Sequence, residues 1–182
     1  MTGTGLEIGA QAMAAGLKGR EDGPVFRDAT DADLVGLRDL ERDANQAALS
    51  HVFPPSRYPF PDDAVLARWR LVMDDPQVAV LVLDDPGERG LLAYVAYDDT
   101  TLRHLAVRPD RWREGLATVA VEMALEGIRL SGTTEASLWC LQDNQRARRL
   151  YEHLGWRPTD DVREAPWPPH PVETRYIRSV SS

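Results

Sequence analysis

The chain has one cysteine, one lysine, no long apolar run and no excess of positive charge, and each shortage removes a class of explanation. Cys140 alone allows no internal disulfide, so a reducing compartment, the cytoplasm, is the natural expectation. It sits inside the apolar run ASLWCL and is expected to be a buried strand residue rather than a reactive thiol. No stretch approaches the roughly 20 apolar residues of a membrane-spanning helix. The opening MTGTGLEIGAQAMAAGLKGREDG lacks the basic start and continuous apolar core of a secretory signal. Its small-residue composition reads instead as a mobile tail over residues 1–23, ahead of one domain over 24–182. A net charge of -8 argues against nucleic acid as a partner, because a polyanion wants a basic footprint. No His/Cys spacing suggests zinc, and the five Asp-Asp pairs fall where turns are expected, so no metal is expected. Neither GxxxxGK[ST] nor GxGxxG is present. Lys18 is the only lysine, which looks like a composition bias and lowers the information carried by any one arginine.

What is present is ordinary for a soluble globular domain, with 43% hydrophobic and 27% charged residues. A short strand is expected from Val25. A helix follows, with Thr30 and Asp33 as a capping box and Leu34, Leu37 and Leu40 at helical spacing. The proline- and aromatic-rich HVFPPSRYPFPDD excludes regular structure. The next segment, DAVLARWRLVMDD, places Val65, Leu66, Trp69 and Val72 on one helical face. Three consecutive strands come next, punctuated by DDPGERG and DDT and expected to pair antiparallel. A helix over Leu116 to Leu130, a buried strand EASLWCL, a helix NQRARRLYEHL closed by Gly155 and a last strand over Thr174 to Arg178 complete the pass. That order contains six strands and four helices.

Two stretches carry chemistry. In VRPDRWREGLATVAVEMALEG an apolar strand meets a proline, an arginine-rich turn, Gly115 and then a long helix. Helix starts have orphan N–H groups and the positive dipole end, and so favour anions. Alone, this is no better than an ordinary strand-to-helix turn with Arg111 and Arg113 in water. In LQDNQRARRLYEHLGW, Asn144 is placed to cap a helix, and Ala147 and Tyr151 share its face at three and seven residues. Each has a purely structural reading: a cap, a packing residue and a core aromatic.

Together and in this order the two stretches resemble the GNAT superfamily of N-acetyltransferases, which use acetyl-CoA. The first motif of that family, V-x-P followed by [Q/R]-x-x-G-x-[G/A], is matched by Val107, Pro109 and WREGLA at residues 112–117. The second, N-x-x-A-x-x-x-Y with a following Gly-aromatic pair, is matched by Asn144, Ala147, Tyr151 and the GW beginning at 155. Trp112 departs from the usual Gln or Arg, and Ala117 stands where glycine is commonest; Arg111 or Arg113 is available to restore the missing cation. The resemblance implies a mixed α/β fold, with a twisted, mostly antiparallel sheet of about seven strands. That sheet would be splayed at its centre between the strand ending at Val107 and the strand around Leu138, with about four flanking helices.

It also implies how a site would be assembled. Pantetheine would pair with the backbone of Leu105, Ala106 and Val107. The pyrophosphate would lie on the N–H groups of Trp112, Arg113, Glu114, Gly115, Leu116, Ala117 and Thr118, with Asn144, Ala147 and Tyr151 beside the cofactor. A backbone N–H near Ala106 or Val107 would face the oxyanion. Tyr151 is the expected general acid, because a phenol of pKa about 10 stays protonated and can donate to a thiolate of pKa about 8.5. His104 is the leading general base, with Asp98 and Asp99 as rivals and a half-wet strand position as the structural alternative. The acceptor wall is expected from His51, Phe53, Arg57, Tyr58 and Phe60, with APWPPHP closing the pocket or bracing the sheet. The expected activity is acetyl transfer from acetyl-CoA to a small primary amine, with an antibiotic as one candidate. Protein or peptide N-acetylation and a non-catalytic acyl-CoA-binding module are the alternatives. Expected partners are acetyl-CoA and an amine acceptor, with no nucleic acid or membrane; homodimerisation is left open.

Overall fold

A computed structural model describes residues 23–87 and 90–181, so nearly all of the expected N-terminal tail lies outside the described residues. The chain runs β1 (Arg27–Asp28), α1 (Leu34–Leu49), α2 (Asp62–Asp74), β2 (Ala79–Asp84), β3 (Leu91–Tyr97), β4 (Leu102–Val107) and α3 (Leu116–Leu130). It continues through β5 (Glu135–Leu141), α4 (Gln145–His153), β6 (Arg157–Glu164) and β7 (Val172–Ser179). Single 3-10 turns precede α1 and α3.

The strands form two antiparallel sheets, in the orders β1-β2-β3-β4 and β5-β7-β6. Every residue of β3, LLAYVAY, is buried. A strand covered on both faces loses the usual alternation, which is why this one reads as a continuous apolar run. On one face, Leu37 and Leu40 of α1 and Val65, Trp69 and Val72 of α2 pack with Val80, Val82, Tyr94 and Ala96. On the other, Ala120, Val121, Ala124 and Ile128 of α3 pack with Val95, Tyr97 and Leu102 and with Leu138 and Tyr176 of the second sheet. Fully buried Leu37 and Leu138 each contribute about 1.5–3 kcal/mol of apolar transfer free energy. Gly127 permits the close approach of α3 to β3, because a Cβ there would overlap the Tyr97 ring.

β4 and β5 lie side by side, and among the described residues one parallel bridge links them, between Thr101, just before β4, and Ser137. There Ser137 N–H donates to Thr100 O at 2.9 Å. Further along, no ladder joins these strands among the described residues, and the sheet is open toward their carboxyl ends.

Two elements differ from expectation. β1 is a two-residue strand that begins at Arg27, and Val25 is 82% exposed. β6 is a strand that the residue pattern does not mark. It is an outer edge strand, RPTDDVRE, almost wholly exposed, so no apolar face required an alternating pattern. With it the described residues contain seven strands and four helices longer than a single turn.

Candidate functional site

Beside the free edge of β4 lies a cavity of about 440 Å³. Leu105, Ala106 and Val107 line it from β4, and Trp112, Arg113, Gly115, Leu116, Ala117 and Thr118 from the turn and the start of α3. Asn144, Ala147 and Tyr151 line it from α4 and its cap. Of the expected cofactor residues only Glu114 is absent from this wall; it pairs with Arg111, which lines the cavity, at 2.7 Å.

The backbone of β4 is sorted by its pairing with β3. Arg108 N–H donates to Leu92 O at 2.8 Å, and Ala106 lies opposite Tyr94. Antiparallel alternation therefore directs the N–H and C=O of Ala106 into the ladder and those of Leu105 and Val107 toward the opening. Ala106 thus has no free N–H for an oxyanion, and the Val107 N–H is the group that faces the opening. The Val107 carbonyl is already occupied, because Trp112 Nε1–H donates to it at 2.7 Å.

At the start of α3, Gly115 is left-handed (φ 82°) with open space where a side chain would project. Arg113 is also left-handed (φ 74°). No side chain caps α3, so the first-turn N–H groups are available to a ligand. On α4 the Asn144 side chain accepts the Ala147 N–H at 3.1 Å, the cap expected of it. Tyr151 packs edge-on to Trp156, with ring centroids 6.0 Å apart. Burial, then nearby Cys140, raises its hydroxyl well above the ordinary tyrosine value, so it is proton-loaded at neutral pH. Among the described residues this hydroxyl makes no hydrogen bond, and Tyr151 lines the cavity. The Cys140 thiol is pushed up to about 12, chiefly by burial, which keeps it protonated and inert.

His104 lies elsewhere. It precedes Ala106 by two residues and is absent from the cavity wall. Its ring packs on Trp69 at 5.1 Å, and Arg68 Nη1 stands 3.0 and 3.1 Å from its two nitrogens. Burial first, then Arg68 and Arg103, pushes its pKa down to about 3, so the ring is neutral and a very weak base. Arg68 in turn pairs with Glu41, whose carboxylate also accepts Trp69 Nε1–H at 2.8 Å. Arg68 Nε is buried without a hydrogen-bond partner. Asp98 caps the β3–β4 turn, accepting the N–H groups of Thr100 and Thr101, and Asp99 follows it at the end of β4 far from Val107.

None of the five expected acceptor residues lines the cavity. Exposed His51 donates from Nε2 to Asp143 O at 3.0 Å, tying the loop after α1 to the turn before α4. Arg57 lies over the Tyr58 ring at 5.4 Å, Phe60 packs on the α1–α2 core, and Phe53 is half-buried. From that part of the chain Ala44, Asn45, Ala48 and Leu49 of α1 line the cavity instead. They carried no chemical signature; the visible signal was a face of small residues at helical spacing, ANQAAL. Arg146 and Leu150 of α4 also line the cavity. Trp167, from the proline-rich C-terminal loop, packs on the α1–α2 core, so that loop braces the first sheet.

Among the described residues no helix is long and apolar enough to cross a membrane, and no cluster of metal-ligating side chains forms.

Comparison with known proteins agrees with this geometry. The profile of the acetyltransferase (GNAT) family matches residues 35–156. A curated relative, the mycothiol acetyltransferase of Beutenbergia cavernae, is 35% identical over 89 residues, 46% of this chain and 30% of that enzyme. The matched part therefore spans under a third of that relative. Among solved structures, the ribosomal-protein-S18-alanine N-acetyltransferase of Escherichia coli superposes with a TM-score of 0.64 at 19% identity, covering 88% of this chain and 96% of that one. The PaiA N-acetyltransferase of Thermoplasma acidophilum, solved with coenzyme A, gives 0.66 at 12% identity, covering 87% and 99%. The chain belongs to the GNAT family of acetyltransferases.

Proposed function

We propose that this enzyme transfers an acetyl group from acetyl-CoA to the primary amine of a small molecule. The observation that carries the reading is that a single cavity is shared by the free edge of β4, the uncapped start of α3 and the side of α4 that carries Tyr151. The residues present fit an acyl-CoA. Leu105 and the Val107 N–H offer unpaired backbone to an amide-bearing arm, and the α3 start with Arg113 and Arg146 offers N–H groups and cations to phosphates. When bound, the thioester supplies the activated acetyl group.

The residues then divide the work. The Val107 N–H faces the opening as a fixed dipole for the oxyanion of the tetrahedral intermediate. Tyr151, protonated and hydrogen-bond-free, donates to the departing sulfur. The amine sheds its proton to water at the open mouth rather than to His104, which is locked against Arg68. The wall from α1 narrows the cavity beside β4, and this favours a small acceptor over a peptide laid in a groove.

The test joins thermal unfolding to thiol release. At CoA or acetyl-CoA near 100 times Kd, stability rises by about 2.7 kcal/mol. Thiol release follows with small primary amines and not with peptides. Stabilisation without release from any amine would identify a binding module, and release with peptides alone would reassign the acceptor.

A further inference from the structure

The turn before α3 is crowded with arginines, and most are already neutralised. Arg108 pairs with Asp85 and Asp110, each at 2.7 Å. Arg111 grips Glu114 at 2.7 Å. Among the described residues Arg113 and Arg146 form no ion pair with a carboxylate, and both line the cavity. They come from different elements, one from the left-handed turn residue and one from the first turn of α4. They are close enough for Arg113 to disfavour the charge on Arg146, after burial, which is the larger cause.

Arg146 is also held in place. Its guanidinium carbon lies 3.8 Å over the Trp112 ring, and the Trp112 plane is itself fixed by the bond from Nε1 to Val107 O. A guanidinium held over an indole face by its central carbon still has N–H groups to offer, and these match a phosphate fork. Two unpaired cations that repel each other are most readily relieved by an anion between them. The family motif has a Gln or Arg at position 112, the position that Trp112 occupies here. Tryptophan cannot supply the charge, but it can seat a charge brought from α4.

We propose that Arg146, stacked on Trp112 and acting with Arg113, is the cation that holds the phosphates of the acyl-CoA. The proposal rests on the acyl-CoA reading above and specifies how this chain meets the anionic part of that molecule. It makes Arg146 a binding residue and Trp112 the platform that positions it.

Calorimetric titration of the full chain with CoA and with 3'-dephospho-CoA tests it. Arg146→Gln and Arg146→Ala should each weaken CoA at least ~10-fold, as expected for a lost charge-assisted contact, with unchanged thermal unfolding in the absence of ligand. An equal loss for the two ligands assigns the contact to the diphosphate; a loss for CoA alone assigns it to the 3'-phosphate. Either supports the proposal. Arg146→Lys should recover only part of the affinity, because ammonium lacks the planar fork. In a Trp112→Ala background the further loss on Arg146→Ala should fall below ~3-fold, the coupling expected of platform and cation. Arg146 variants that bind both ligands as tightly as the wild type would overturn the assignment and leave the acyl-CoA reading standing. A wild-type chain that binds neither ligand would remove both.

Discussion

β4 divides two regions that treat charge in opposite ways. On the side of the opening, Arg113 and Arg146 stand without carboxylates, and the backbone of Leu105 and Val107 is turned away from the β3 ladder. On the face toward α1 and α2, Glu41, Arg68 and His104 are bound to one another beside Trp69. The first region keeps its polar groups available to something from outside, whereas the second satisfies them internally. Polar side chains near a cavity are therefore weak evidence for chemistry until their partners are counted. An ordinary histidine titrates in the useful range, and His104 is removed from it by burial first and then by Arg68 and Arg103.

Three experiments would break or sharpen that contrast. The largest effect belongs to the open side. Tyr151→Phe should lower kcat by about 1,000-fold while CoA binding changes little, since no hydrogen bond to the protein is lost. Pre-steady-state thiol release checks it, and a rate near that of the wild type would remove the acid role.

The next effect belongs to the closed side. Glu41→Gln leaves the Arg68 guanidinium partly buried without its counter-charge and should cost about 3 kcal/mol in urea unfolding. A further Arg68→Met change should restore much of this, because replacing both members of a buried pair is far cheaper than breaking it. If the double variant is no more stable than the single, the pair is not the internally balanced unit described here.

The effect that is smallest at neutral pH is one of acid stability. His104 has a pKa of about 3 in the folded protein, against 6.5 for an ordinary histidine. Between those values the unfolded chain binds a proton that the folded protein refuses. Stability is therefore complete above about pH 6.5 and declines as pH falls toward 3, by about 1.4 kcal/mol per pH unit. His104→Gln should lose that part of the slope and leave the pH profile of turnover near neutrality unchanged. Identical acid slopes for variant and wild type would show that the ring is charged in the fold.

The same contrast explains what could be read from the residues in order. The open side is built from contiguous stretches, Leu105 to Thr118 and Asn144 to Tyr151, so spacing along the chain translated directly into neighbours around one cavity. One wall of the cavity comes from α1, more than fifty residues before β4, through alanines whose contribution is the room they leave. No residue type announces that. The aromatic loop after α1 drew attention by composition, but its Phe60 was needed for the core and its His51 for a tie to Asp143. Alternation along β4 marks His104 as a half-wet strand position, yet it carries no information on what Arg68 would bring to it. β6 escaped notice because an exposed edge strand needs no apolar pattern. Arg146 was hidden by the abundance of arginine, and its stacking on Trp112 depends on how α4 docks.

The single bridge between Thr101 and Ser137 has a further consequence, for solubility. Beyond it β4 exposes an unpaired backbone row, and such rows on an outer edge invite pairing with a second chain and aggregation. Here the row faces inward, walled by α1, α3 and α4, and the His51–Asp143 tie links the loop after α1 to the turn before α4. The protein can thus keep an adhesive edge permanently open for a ligand while denying it to other proteins.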